Sequence, residues 1–301
     1  MDSDLIAAWA AAYGQLADIL IAAEKQRYAE QEAIQGGWNG WREFKVVRKQ
    51  PESSVITSFY LQAVDGGALP AYQAGQYVSV RVEVPELGIK QPRQYSLSQA
   101  ANGNELRISV KCESEREAFA AGYVSNTLHE HVQEGDVLEI SHPNGDFVLN
   151  SATKANVFIS AGVGITPMMA MLGQVAAHNM PKATSFIHAC RDEHSLSMSE
   201  AVAAIKQRFP QLQTYLACET QPETDLDVQT IGRLNLHTVG AELLPREADY
   251  YVCGPVGFMQ VQYQSLLGLG IAPEQIHMEA FDTGGIAAVT AACGIAAVTA
   301  A

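Results

Sequence analysis

No CxxC pair occurs anywhere in this chain, and its five cysteines, Cys112, Cys190, Cys218, Cys253 and Cys293, are scattered and odd in number. That pattern excludes a zinc ribbon or a fully paired disulfide frame and suits reduced thiols in a cytosol. Runs of lysine or arginine are also missing, and 19 basic against 33 acidic residues leave a formal net charge of -14. Nucleic acid and anionic membrane surfaces both need a basic footprint, so neither is expected as the main partner. No apolar run approaches the ~20 residues of a membrane span. The N-terminus lacks the basic segment and apolar core of a signal peptide. These absences together point to the cytoplasm, and to a small molecule or another protein as partner.

What is present suits a soluble protein of two domains: 301 residues with 48% apolar content. From Asp4 to about Ala33, Leu5, Trp9, Tyr13, Leu16, Ile19, Leu20 and Ala23 recur at spacings of three and four. This predicts an amphipathic helix with N-cap oxygens at Asp2, Ser3 and Asp4. Gly36 and Gly37 end it before Trp38 and Trp41. Its apolar face either packs on the protein's own core or has lost a partner.

Between Phe44 and Leu149 the grammar becomes alternation. Val78, Val80, Val82 and Val84 interleave with Ser79, Arg81 and Glu83, and Leu106, Ile108, Val110 and Cys112 do likewise. Turn signals at Asp65-Gly66-Gly67, Asn102-Gly103 and Asn144-Gly145-Asp146 separate the strands. This predicts an antiparallel barrel or sandwich. Gly122 to Leu128 interrupts it, with Ser125 or Asn126 as caps of a short helix through His131, either a plain capped helix or one whose free N–H groups would suit a phosphate. After Asn156, short apolar runs at 156–160, 184–190, 213–219, 249–253 and 275–281 alternate with helical stretches such as 168–178 and 198–209. That order predicts a parallel sheet covered on both faces, with ligands at the carboxyl ends of its strands.

Three stretches carry chemistry. Arg93-Gln94-Tyr95-Ser96 places a cation, a ring and a hydroxyl on one strand, Arg93 and Tyr95 on one face and Ser96 on the other, a pattern suited to a flavin. Gly162-Val163-Gly164-Ile165-Thr166-Pro167 follows a strand and opens a helix, with Thr166 as cap and Pro167 in the first turn, and suits a pyrophosphate. Cys253-Gly254-Pro255 repeats that logic after a later strand, or is a tight turn over a small buried thiol. Arg191, after the second parallel strand, meets a 2′-phosphate or is a solvated loop residue. His188 and His194 read as structural, and Met168, Met169 and Met171 as packing.

Arg93 to Ser96, Gly122 to Ser125, Gly162 to Pro167, and Cys253-Gly254-Pro255-Val256-Gly257-Phe258-Met259 stand in an order and spacing that resembles the ferredoxin-reductase superfamily. Within it the chain looks most like the reductase part of flavohaemoglobins, the bacterial nitric oxide dioxygenases, over nearly everything up to Phe281. The resemblance implies four segments: a last globin helix and linker at 1–35, an FAD-binding six-stranded antiparallel β-barrel at 36–150, an NAD(P)-binding α/β domain at 151–281, and a low-complexity tail at 282–301.

It also implies FAD and NADH or NADPH as cofactors, with hydride passed to flavin and electrons then to a haem or other acceptor, such as a separate globin. Carried over, Arg93 meets the FAD pyrophosphate, Gln94 lies within the same motif, Tyr95 packs on the isoalloxazine and Ser96 lies near its N5. Tyr77 is a further FAD contact. Gly122, Tyr123, Val124 and Ser125 form a second phosphate segment. Gly162, Val163, Gly164, Ile165, Thr166 and Pro167 take the pyridine nucleotide, with Cys253, Gly254 and Pro255 beside the nicotinamide. Glu279 and Phe281 fall beside flavin and haem, so Tyr95, Ser96, Cys253 and Glu279 form the implied catalytic set.

Two departures stand out. The first histidine is His129, so no proximal haem ligand precedes the barrel, and Gln26 stands where the family has a glutamate. Phe281 is followed by Asp282 and a tail in which Gly285 to Ala292 repeats as Gly294 to Ala301 around Cys293. Complete dioxygenation by this chain alone is not expected. The competing expectation is a non-catalytic module that docks a separate globin through its opening helix.

Overall fold

The computed structural model describes residues 3–113, 122–150, 155–178 and 184–281. Asp2, Cys293 and the repeated tail lie outside the described residues. Helix α1 (Ser3–Ala33) matches the predicted span and stops before Gly36, whose φ of +79° is the left-handed conformation that ends helices. At 100° per residue its large apolar side chains share a stripe, but among the described residues that stripe packs on nothing: Trp9 is 71% and Tyr13 73% exposed. The helix is also long and apolar enough, by length and composition, to cross a membrane over Asp4–Ala33. This corrects the sequence expectation that no segment approaches that length. Alanine fills the gaps between the large residues, and Asp18 alone does not break the run.

Strands β1 (Trp41–Pro51), β2 (Ile56–Ala63), β3 (Tyr77–Val84), β4 (Ile89–Ser96) and β5 (Leu106–Lys111), with β6 (Val137–Ser141), form an antiparallel sheet in the order β4-β3-β6-β1-β2-β5. Alternation holds where it was read: Val78, Val80 and Val84 are fully buried in one core with Phe44, Phe59, Leu106, Ile108 and Val110. The sheet curls into a barrel whose edges, β4 and β5, meet through the bridge between Leu97 and Ile108. Helix α2 (Tyr123–Glu130) lies against β3, β4 and β5. Trp38 joins the linker to the barrel by donating its indole N–H to the Ile140 carbonyl at 3.1 Å.

The second half alternates β7 (Ala155–Ala161), α3 (Ile165–Ala177), β8 (Thr184–Cys190), α4 (Ser199–Arg208), β9 (Leu212–Cys218), β10 (Thr230–Ile231), β11 (Ala248–Cys253), α5 (Val256–Gly268) and β12 (Ile276–Glu279). The sheet is parallel, in the order β10-β9-β8-β7-β11-β12. Successive residues of β7 feed opposite cores: Phe158 packs with Met168, Met169 and Leu172 of α3, and Val157 and Ile159 with Met259 and Leu266 of α5. The chain steps outward from β7 in one direction and resumes on its other side with β11, so a topological switch lies between them.

The two halves meet along α3. Ala74 and Phe147 join its core, the Gln174 side chain accepts from the Ala74 N–H at 3.3 Å, and the Asn150 N–H donates to the Tyr251 hydroxyl at 2.9 Å. Gly75 sits in this joint at φ +105°, where an added Cβ would strike the Phe147 carbonyl oxygen and come within 2.6 Å of Met171 Cε. Gly75→Ala combines a forbidden φ with a clash against backbone, so urea unfolding should show a loss of about 2 kcal/mol or more. A change within ~0.5 kcal/mol would show that the joint yields freely.

Candidate functional site

The switch between β7 and β11 brings together two stretches about ninety residues apart in sequence. Gly162–Gly164 forms a 3-10 turn after β7, and Cys253-Gly254-Pro255 follows β11. A Cβ at Gly164 would overlap the Cys253 carbonyl oxygen and come within 2.7 Å of the Gly254 nitrogen, so only glycine lets the two turns touch. Gly254 in turn leaves 2.9 Å for Phe258 and 3.2 Å for Ala161 Cβ. Gly162 plays a different part. Its φ is +54° and no described atom lies within 4 Å of where its Cβ would be, so this backbone faces open space.

Helix α3 continues directly from this turn at Ile165 without a side-chain cap, and the Ile165 N–H donates back to the Gly162 and Val163 carbonyls. Thr166, expected to cap it, instead lies inside the first turn and donates its hydroxyl to the Val163 carbonyl at 3.0 Å. Val163 is half-buried, whereas Ile165, Thr166 and Pro167 are buried and anchor the turn. Pro167 sits early in the helix, where a missing N–H costs no bond.

On the barrel side, β3 and β4 pair so that Val78 faces Tyr95, Val80 faces Arg93 and Tyr77 faces Ser96. Arg93 and Tyr95 therefore share one face and Tyr77 and Ser96 the other, as strand period requires. Arg93 is exposed and its guanidinium folds onto its own strand, donating to the Pro92 carbonyl at 2.7 Å. Gln94 is exposed, Tyr95 half-buried against the barrel core and Ser96 buried. Burial pushes the Tyr95 phenol well above its usual range. The Tyr77 ring lies over Gly145, where a Cβ would sit 3.0 Å from it. Gly145 is a supporting residue that sequence reasoning passed over; it was visible only as part of a turn signal.

Helix α2 starts earlier than expected. Gly122 is its N-cap with no side-chain bond, and Ser125, within the helix, donates to the Gly122 carbonyl at 3.0 Å. Neither Ser125 nor Asn126 caps it, because the chain enters the helical turn before reaching them. Tyr123 is exposed while Val124 and Ser125 are buried. Because α2 packs on β4, the Gly122 and Arg93 segments border one region, and the Gly162–Gly164 turn neighbours β5 of the barrel.

Glu279 stands beside Cys253 in the β11–β12 register. Its Oε2 is buried without a hydrogen-bond partner among the described residues, and burial pushes its carboxyl up to about 8. Cys253 has no exposed surface; burial, with the Glu279 charge second, pushes its thiol well above the usual range. Arg191 and Pro255 are exposed, and Phe281 is 47% exposed. Ser160 Oγ and His188 Nδ1 lie 2.9 Å apart, and burial pushes His188 down to about 4, which fits its structural reading. His194 is exposed. Among the described residues no cluster of His, Cys, Asp and Glu is arranged to hold a metal ion.

Residues 43–149 match the oxidoreductase FAD-binding domain family and residues 158–264 the oxidoreductase NAD-binding domain family. The flavohemoprotein of Bordetella pertussis is 50% identical over 289 residues, covering 94% of this chain and 71% of that protein. The chain belongs to the flavohemoprotein family. The Chromobacterium violaceum flavohemoprotein is 52% identical over 283 residues, 92% of this chain and 70% of its relative. The flavohemoprotein fold is equally clear: the FAD/NAD-binding domain of Vibrio cholerae nitric oxide dioxygenase matches with a TM-score of 0.72 at 37% identity, covering 79% of this chain and 98% of that one. A Malassezia yamatoensis flavohemoglobin with bound FAD and heme matches at 0.75 and 26%, covering 93% and 69%.

The chain is thus a flavin-dependent oxidoreductase corresponding to the reductase half of the flavohemoproteins, with FAD- and NAD-binding domains. The site fits both groups: an open glycine backbone beside a helix start suits a pyrophosphate, and a tyrosine-bearing strand next to an unshielded arginine suits a flavin nucleotide.

The raised Glu279 value has a sign that stability can read. Below about pH 4.5 the group is protonated in both states, and between about 4.5 and 8 only the unfolded chain ionises it, so stability falls across that window. The loss is roughly 1.4 kcal/mol per unit before relaxation. Urea midpoints measured from pH 5 to 9 should fall more steeply for the parent chain than for Glu279→Gln; equal slopes would refute the assignment.

Proposed function

We propose that this chain takes hydride from NADH or NADPH onto FAD and delivers the electrons to a haem protein, a globin foremost, or to another small or metal acceptor, as in nitric oxide detoxification. The observation that carries this reading is the contact of Gly164 with the Cys253 carbonyl, which joins two strand-end turns into one seat at the sheet's switch point. Barrel and α/β domain are proposed to span 36–150 and 151–281, so that the seat faces the flavin strand across the domain joint. FAD supplies the hydride acceptance and single-electron release that no side chain can.

Arg93, with the Gly122, Tyr123, Val124 and Ser125 segment, holds the flavin pyrophosphate; Tyr77, Gln94, Tyr95 and Ser96 orient its ring. Gly162, Val163 and Gly164 bind the nucleotide phosphates through backbone N–H groups, and the buried Ile165, Thr166 and Pro167 anchor that turn. Gly254 and Pro255 shape the nicotinamide side. Cys253 acts as a positioning residue through its backbone, since its thiol is sealed in the core. Glu279 holds a proton near neutral pH at the mouth of the same crevice, and Phe281 covers it. Arg191, exposed just after β8, is the cation proposed to meet a 2′-phosphate, so that NADPH is accepted beside NADH. Free thiols at the four described cysteines favour the cytoplasm.

A second reading rests on the exposed stripe of α1: a non-catalytic module that docks a globin. Anaerobic mixing of the FAD-loaded chain with each nucleotide separates the two. Flavin absorbance should bleach within seconds; no bleaching with either NADH or NADPH would leave only the module. Arg93→Ala should weaken FAD binding by about 10- to 100-fold, a charge-assisted contact being worth about 1.5–3 kcal/mol, as read by fluorescence titration. Bleaching once FAD is saturating should change far less, and unchanged FAD affinity would remove Arg93 from the site.

A further inference from the structure

Of the four described cysteines, two face each other. Cys190 ends β8 and Cys218 ends β9, and the parallel register sets them directly opposite. Side chains paired in this way leave the sheet on the same face, so the two thiols share one gap between the strands. Each reaches across it: Cys190 Sγ donates to the Ala217 carbonyl of β9 at 3.8 Å, and Cys218 Sγ to the Arg191 carbonyl just after β8 at 3.7 Å. The other two stand apart, Cys112 on the barrel beside Asn126 and Cys253 two strands away beside Glu279.

One buried cysteine is a small apolar filler, whereas two in register are a dithiol. Neighbouring strands run about 4.8 Å apart, inside the ~4.4–6.8 Å of Cα separation that a disulfide spans, so a link closes on the existing backbone. Reduced thiols are the resting state. Burial, and after it the neighbouring Cys218 sulfur, push the Cys190 thiol up to about 12, which leaves little thiolate and keeps the pair silent toward mild oxidants. Cys190 retains 6% exposure and Cys218 none, so a small oxidant meets Cys190 first.

We propose that Cys190 and Cys218 form a thiol–disulfide switch that hydroperoxides close, and that closing it weakens the nucleotide seat. The Cys190 sulfur attacks a peroxide oxygen; the O–O bond breaks, an alcohol (water, from hydrogen peroxide) leaves with the thiol proton, and a sulfenic acid remains. The Cys218 sulfur then displaces that hydroxyl, which leaves as water with the second thiol proton as the S–S bond forms. Two electrons pass from the thiols to the peroxide. The effect on the seat rests on the proposed function, in which Arg191 meets the nucleotide. Closing withdraws the Cys218 thiol from the Arg191 carbonyl. The same carbonyl accepts from the Thr220 N–H at 3.0 Å and the Thr220 hydroxyl at 3.2 Å, so drawing the two strand ends together re-aims the arginine.

Hydrogen peroxide treatment of the full FAD-loaded chain, followed by thiol alkylation and peptide mapping, should yield a Cys190–Cys218 linked peptide short of two hydrogens, which excess dithiothreitol removes. Once the peroxide is cleared, the nucleotide concentration for half-maximal anaerobic flavin bleaching should have risen about 10-fold, roughly the worth of one good contact, with the limiting rate kept. Cys190→Ala and Cys218→Ala should each lack the linked peptide and hold their nucleotide requirement through the treatment, and their bleaching beforehand certifies that they are folded. Recovery of both thiols unlinked while Cys112 oxidises would overturn the proposal. So would a link that leaves the nucleotide requirement unchanged, or a rise that persists in both variants. The peptide map is read whether or not the chain oxidises nucleotide, so its failure and that of the proposed function are told apart.

Discussion

The contact on which the site depends is made by an absence: Gly164 has no Cβ, so its turn rests directly on the Cys253 carbonyl. Two strands adjacent in the sheet but distant in the chain thereby end in a single surface. Any side chain at 164 would push the β7 and β11 turns apart and break the crevice that the parallel topology creates. The surrounding packing serves this contact. Phe158 and Tyr251 fill the layer beneath it with ring centroids 5.6 Å apart, and the buried methionines of α3 hold the helix start in place. The site's electrostatics follow from the same compactness, because the close packing that seals Cys253 also strips solvent from Glu279.

Much of the fold was legible because its signals are local. Strand β8 occupies the predicted residues 184–190, and α1 was placed within a residue at its start. Alternating valines fixed the inward face of β3 without any knowledge of its neighbours. The four motifs brought the chain to its family because each has its own residue identities and their order is fixed. Capping was misjudged for a physical reason. Ser125 and Thr166 are good caps in isolation, but a helix can start on glycine when the preceding turn is set by tertiary contacts, and both hydroxyls then bond backward within the first turn.

Long-range properties were the part that the sequence withheld. Nothing local to Gly75 says that Phe147 and Met171 will close on it, and nothing near Gly145 announces the Tyr77 ring. The opening helix shows the limit in the other direction. Its apolar stripe was plain from spacing, but spacing cannot report whether anything covers it, and among the described residues it is bare.

The joint along α3 has a consequence for how the molecule behaves as a whole. One helix both runs on from the Gly162–Gly164 turn at the sheet's switch point and, through Met171 and Gln174, supplies the surface against which the barrel is set. The reductase is therefore not two beads on a string. Loosening the barrel deprives α3 of the support that aims its N-terminus, so the two halves should lose their order in a single cooperative step, and neither half cut out alone inherits its share of the chemistry.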